Sequence, residues 1–239
     1  MIAPAARLKR YPPGLSQPAH AHGEAHLSLV LAGGFEEKTG LGGDRLAVAG
    51  VVGLRPQGLR HAVRFADVGA LVLTFASPAR GDGGAVISDP AWSPVLARRH
   101  LRRLVPLLLE GGEPGVEAVW DLLALCHAGG DDRARPDPWL RTVRQRLVEA
   151  PGQTRLTDLA HAAGRHRVHL GRAFLAAFGE TPSAFRRRAM LDRALCLTAQ
   201  GLPAVLAAVD AGFSDQSHFN RACRDLYGLP PVRLMARAA

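Results

Sequence analysis

Apolar and polar positions change their period along this chain. Up to about residue 80 the apolar residues come in short runs: HLSLVLAGG (26–34), RLAVAGVVGLRPQG (45–58) and ALVLTFA (70–76). Such runs, punctuated by Gly and Pro, predict strands. From Trp92 the period lengthens. Leu96, His100, Leu101, Leu104 and Leu108 recur on one face and predict a helix over 92–110. GVEAVWDLLALCHA (115–128) predicts a second. GGDDRARPDP (129–138) has no apolar period and the composition of a linker. Everything after it reads as helix. The pattern therefore predicts two domains: an antiparallel β domain over 1–88 with a helical connector over 89–128, then the linker 129–138 and an all-α domain over 139–239.

The all-α domain contains a repeat. LGRAFLAAFGETP (170–182) aligns with FNRACRDLYGLPP (219–231), pairing Leu170 with Phe219, Arg172 with Arg221 and Phe178 with Tyr227. Upstream, Ala160 precedes Gly164 by four residues, as Ala208 precedes Gly212. A small residue lets two helices cross closely, and Gly takes the positive φ of a tight turn. Each copy thus predicts a helix-turn-helix. In the second copy GFSD absorbs one extra residue, with Ser214 as the expected N-cap.

Charge sharpens this picture. The chain carries a net +9, but residues 139–239 hold 15 basic and only 7 acidic side chains. A basic helical block implies a polyanionic partner. The second helix of each unit sets an apolar face opposite a polar one. The polar face offers Arg167, His169 and Arg172 in the first copy and Gln216, Ser217, Asn220 and Arg221 in the second. Gln and Asn pair with adenine edges, and Arg with the O6 and N7 of guanine. Arg186, Arg187 and Arg188, on the helix joining the units, suit phosphate contacts. No apolar run reaches the ~18 residues of a membrane span, and the N-terminus has no signal-peptide shape. Three scattered cysteines form no disulfide framework, so a cytoplasmic location without membrane contact is expected.

GFSDQSHFNRACRDLYGLPP (212–231) closely resembles the second helix-turn-helix of AraC/XylS-type transcription regulators. LTDLAHAAGRHRVHLGRAFLAAFGETPSAFRRRAMLDRALCL (156–197) resembles the first unit and its linker helix. The resemblance implies a seven-helix domain whose two recognition helices enter successive major grooves. Its recurrent base-contacting arginines fall on Arg172 and Arg221. Its variable readers fall near Arg167, Val168 and Gly171, and on Gln216, Ser217 and Asn220. The sequence departs from many members at His166, which stands where they have a Ser N-cap.

HAHGEAHLSLVLAG (20–33) and GVVGLRPQGLRH (50–61) are similar to the two cupin motifs, which imply a small antiparallel β-barrel over about residues 5–80. In metal cupins His20, His22 and His61 would be ligands, and His26 stands where many have Glu. Imidazole clusters suit a divalent transition ion, zinc foremost, then copper or nickel. If the strand is unbroken, His20, His22 and His26 share a face; if Gly23 breaks it, His26 reaches the site across a hairpin. The alternative is a barrel that serves only as an organic-ligand pocket or scaffold.

The expected function is a non-enzymatic, sequence-specific DNA-binding transcription regulator, controlled by a small ligand or metal sensed in the barrel. Its expected partners are double-stranded DNA, that effector, a second copy as homodimer, and RNA polymerase. Leu101, Leu104, Leu108, Val119, Leu122 and Leu123 would either support self-association or cover the barrel. The alternative function is a metal-dependent cupin enzyme with an accessory DNA-binding domain. An architectural DNA-binding protein without effector is a third option.

Overall fold

The computed structural model describes residues 6–40, 44–76, 89–127 and 136–237. The expected boundary at residue 88 and residues 129–135 of the expected linker lie outside them.

Two long strands organise the N-terminal half. In chain order the strands are β1 (Arg7–Tyr11), β2 (Ser16–His20), β3 (His26–Thr39), β4 (Arg45–Val48), β5 (Val52–Arg55), β6 (His61–Ala76) and β7 (Ala91–Trp92). They form one sheet in the order β1-β6-β3-β5-β7, with β2 also on β6 and β4 also on β3. Every pairing is antiparallel. β3 and β6 pair from His26↔Ala76 to Thr39↔His61, with irregularities after Val30 and after Gly33. Strand alternation sends neighbours to opposite faces. Leu27, Leu29, Leu31, Leu71 and Leu73 pack under the helices. Val30, Phe35, Val63, Phe65 and Val72 form a separate cluster on the other face.

Helices α1 (Arg98–Glu110) and α2 (Gly112–His127) cover the first face. Leu101, Leu104, Leu108, Val119, Leu122 and Leu123 are all buried in the core they share with the sheet. These side chains are spent within the chain, so they carry no argument for self-association.

The C-terminal half holds seven helices among the described residues: α3 (Pro138–Glu149), α4 (Leu156–Ala162), α5 (Arg167–Phe178), α6 (Pro182–Ala199), α7 (Ala204–Ala211), α8 (Gln216–Tyr227) and α9 (Pro231–Met235). The first unit closes its own core from Leu140, Val143, Leu147, Leu159, Leu170, Phe174 and Phe185. The second does not. Ala208, Phe213, Phe219, Cys223 and Tyr227 belong to the same core as α1, α2 and the sheet.

Polar bonds fasten that junction. The Gly33 amide donates to Asp192 Oδ1 at 2.6 Å, and the Tyr227 hydroxyl donates to the Leu31 carbonyl. Gln200 Nε2 donates to the Val68 carbonyl at 2.9 Å. Gly33 has φ +69°, and a Cβ there would meet the Gly69 carbonyl oxygen at 1.9 Å. Only glycine lets β3 bend there and present its amide to α6. No helix among the described residues is long and apolar enough to cross a membrane.

Candidate functional site

The two helix-turn-helix units arise as the repeat predicts. Gly164 and Gly212 take positive φ in the turns, at +62° and +97°. Gly212 has a second constraint: its Cα face lies against Gly152, where a Cβ would come within 2.2 Å of the Gly152 Cα. This contact packs the α3–α4 loop of the first unit against the turn of the second.

Both second helices are capped by side chains. His166 Nδ1 accepts from the Val168 amide at 3.3 Å, so the residue that replaces Ser still caps α5. The expected cap of α8, Ser214, is corrected. Asp215 Oδ1 accepts from the His218 amide at 2.7 Å, while the Ser214 hydroxyl donates to Asp215 Oδ2 at 3.0 Å. A carboxylate at a helix start meets the unpaired amides and the positive dipole end better than a hydroxyl does. The amide bond of His218 and the Ser214 hydroxyl hold the Asp215 carboxyl below its ordinary range.

The expected readers lie where the pattern puts them on their helices. Arg167, Val168, His169 and Arg172 are exposed on α5, and Gly171 is partly so. On α8, Gln216, Ser217 and Arg221 are exposed and Asn220 is half-buried. Val168, 53% exposed, is an apolar side chain with no core to fill. His169 stacks on Trp139 with ring centroids 5.8 Å apart, an anchor the sequence did not reveal. A Cβ at Gly171 would meet nothing within 4 Å, so packing does not require glycine there.

The three consecutive arginines divide. Arg186 Nη1 donates to the Thr154 carbonyl at 2.9 Å. Arg188 pairs with Glu180 at 2.5 Å and lies over Phe185. Both are structural, contrary to the expectation of phosphate contacts; Arg187 remains exposed.

The second candidate site is a cavity of about 620 Å³ on the sheet face opposite the helices. Donor nitrogens of His20, His22 and His61 lie within 4.8 Å of one another there. His20 ends β2 and His26 begins β3, so the strand is broken at the turn around Gly23. His26 therefore stands beside the triad, its ring 4.4 Å from that of His22, and outside the donor group. Burial, then the Arg55 charge, lowers His61 to about 3 and His26 to about 4. Burial and the neighbouring His20 lower His22. Neutral imidazoles carry the lone pair a metal needs. Zn–N bonds of 2.0–2.1 Å put tetrahedral donors ~3.4 Å apart, so small side-chain rotations would bring the triad to ligand spacing.

Sequence reasoning missed the pair that supports this cavity. Arg55 donates to Glu37 through Nε (2.6 Å) and Nη2 (3.1 Å), and both side chains are buried. Glu37 Oε1 also lies 3.4 Å from His61 Nδ1. His61 Nδ1 has no hydrogen-bond partner, and its neutral ring forms no ion pair with Glu37. Arg55 lies over Trp92 and Phe35, 5.0 and 5.6 Å from their centroids.

Comparison with known proteins identifies the helical half. Residues 159–237 match the family described as "Helix-turn-helix domain". These residues form a helix-turn-helix domain. A curated relative from Bacillus subtilis (strain 168), named "Uncharacterized HTH-type transcriptional regulator YbfI", is 38% identical over 63 residues. That match spans 26% of this chain and 23% of the relative. Among solved structures, a probable AraC family transcriptional regulator from Rhodopseudomonas palustris CGA009 is 27% identical, covering 42% of this chain and 97% of its own, with a TM-score of 0.39. ToxT from Vibrio cholerae covers 98% of both chains at 10% identity and a TM-score of 0.42. The matched stretch contains both turns and both capped helices, α5 and α8.

Proposed function

We propose that this chain is a one-component transcription regulator that binds double-stranded DNA through α5 and α8 and senses an effector in the sheet cavity. The observation that carries the reading is the pair of equivalent helices, each capped and each presenting an exposed polar face with an arginine at the same repeat position. Arg172 and Arg221 read guanine edges; Gln216, Ser217 and Asn220 read neighbouring bases; Arg187 holds phosphate. Val168 suits a thymine methyl, and Gly171 gives the backbone room to approach. The sensing half couples to the reader because α8 shares its core with the sheet.

The full chain is the right object for the test, since removing the sheet would strip α8 of part of its core. With an operator found by genome-wide mapping, Arg172→Ala and Arg221→Ala each weaken specific binding by about 1–3 kcal/mol and relax one local base preference. Arg187→Ala weakens all sequences alike and flattens the salt dependence. Unchanged footprints for Arg172→Ala and Arg221→Ala would remove the reading's main support.

We further propose that His20, His22 and His61 hold one divalent transition ion in this cupin-like domain, with Glu37 beside His61 and His26 beside His22. The ion supplies a fixed Lewis-acidic point for an effector, or is itself the signal. Untagged protein should then bind about one equivalent of zinc, copper or nickel. His22→Ala should lose it without unfolding, because His22 is exposed. Metal content that stays far below stoichiometry after reconstitution sinks this assignment. A metal-dependent enzyme with an accessory AraC-type domain draws on the same triad; metal-dependent turnover, with operator binding indifferent to the cavity, would favour it.

A further inference from the structure

We propose that the sheet cavity takes an organic carboxylate, its head held by Arg7, Lys9 and Arg55 and its apolar body laid against Phe35, Phe65 and Val72. This rests on the reading of the cavity as the sensing site and specifies what that site binds.

Strand β1 is the first support. Arg7, Lys9 and Tyr11 alternate along it and all three line the cavity. Their partners on β6 face the same way: Arg7 pairs with Thr74 and Lys9 with Val72, both of which also line the cavity. Two cations on alternate positions of one short strand put both charges on the cavity side instead of spreading them over two faces.

Arg55 is the second support. Its Nε and Nη2 are taken by Glu37, but its Nη1 is buried without a partner. A buried unpaired guanidinium N–H is costly, and an anionic oxygen is the acceptor that satisfies it best. Carboxylates do not cancel this field. Glu37 is engaged by Arg55, and among the described lining residues only Glu24, exposed at the rim, is acidic. With the Arg55–Glu37 pair set aside, the two cations Arg7 and Lys9 face one carboxylate.

The walls decide between an organic and an inorganic anion. Tyr11 stacks on Phe65 at 4.1 Å, and Phe35 meets Phe65 edge-on at 5.5 Å. With Val63 and Val72 these rings make an apolar wall that a phosphate or sulfate would leave wet. A cavity of about 620 Å³ falls in the size range of sites for small organic ligands. Cations at one strand and aromatic rings at another describe a ligand with an anionic end and a compact hydrocarbon body.

The test is calorimetry on the full chain with 3-phenylpropionate, its neutral isostere 3-phenylpropionamide, and inorganic phosphate. The carboxylate should bind at least about tenfold tighter than the amide, as expected for charge-assisted hydrogen bonds. Replacing both Arg7 and Lys9 by Gln should weaken the carboxylate by about tenfold or more and leave the amide unchanged. Both positions are exposed, so the variant keeps the fold; a thermal melt matching the parent verifies this. The proposal is overturned by equal binding of acid and amide, by equal competition from phosphate, by unchanged affinity in the double variant, or by no carboxylate binding at about 10 mM. Operator binding is measured separately. Carboxylate binding without operator binding would overturn the regulator reading and keep this one; the converse would do the opposite.

Discussion

Glu37→Gln lowers the stability of the full chain by about 3–5 kcal/mol, the largest single effect expected in the sheet. The carboxylate is 1% exposed and accepts two bonds from a guanidinium that is itself 5% exposed. Gln keeps the size and one acceptor but removes the charge, leaving the Arg55 cation buried beside neutral groups. The two rings around Arg55 offset only part of that cost, since a cation–π contact contributes roughly 0.5–2 kcal/mol. For a chain of this size the loss lowers the melting midpoint by roughly 10 °C. Glu36→Gln, one residue away on the exposed side of β3, should stay within about 0.5 kcal/mol. Joint replacement of Arg55 and Glu37 by Met should recover most of the stability, because the penalty belongs to the unpaired charge. A melt of Glu37→Gln that overlays the parent would show that the pair is solvated in solution and that Arg55 is free to leave the cavity.

Glu37 also shows where sequence reading stopped. EEK in GGFEEKTG offers two adjacent carboxylates, and alternation from Phe35 puts Glu37 on the inward side. That signal was present, but its partner lies 18 residues away on β5, which pairs with the opposite end of β3, so only the curl of the sheet brings the two together. Local spacing served best where the chemistry was local. The turns at Gly164 and Gly212, the apolar stripes of α5 and α8, and the approach of His20 to His22 all lie within a few residues of sequence. His61 was placed by motif resemblance and not by periodicity. The caps were only half legible. His166 and Asp215 sit beside Arg167 and Ser214, and which side chain reaches a free amide depends on backbone angles that composition does not encode. The junction between the halves was illegible. Tyr227 reads as one more apolar helix position, yet its hydroxyl ends at the Leu31 carbonyl, 196 residues away. The connector likewise offers an apolar face that a second copy or the barrel could cover, and only the sheet beneath it decides between them.

That junction supplies the last expected result: Asp192→Asn removes a fall in stability that the parent shows as pH rises from about 4 to about 7. Asp192 lies on α6, where its carboxyl accepts from the Gly33 amide. The residue keeps some exposure, but protein atoms crowd the carboxyl, and this burial raises it to about 7. The Gly33 bond and Arg188 oppose that rise without overcoming it. Tyr227 from α8 and Cys196 from α6 also face the group, and both are themselves pushed up by burial. An acid whose pKa is higher in the folded chain than in the unfolded one binds its proton more tightly when folded. Stability from this group is therefore full below about pH 4, declines between about 4 and 7, and is flat above. The span corresponds to at most roughly 4 kcal/mol. His26 and His61 act in the opposite sense. Their folded values of about 4 and about 3 mean that stability falls as pH drops below the ordinary histidine value near 6.5. The total curve mixes the two, so the measurement is the difference between parent and Asp192→Asn across the pH range. Asn keeps an acceptor for Gly33 and cannot ionise, so the difference should be small at pH 4 and favour the variant by pH 8. A difference that does not change with pH would mean that folding leaves the Asp192 carboxyl unshifted, and that α6 and β3 stay joined regardless of pH. If the difference grows as expected, the contact between the sheet and the helix joining both helix-turn-helix units is weakest when Asp192 is charged. Because the first unit has its own core and the second shares that of the sheet, loosening this contact would change the placement of α8 relative to α5, the spacing on which the proposed reading of two successive grooves would depend.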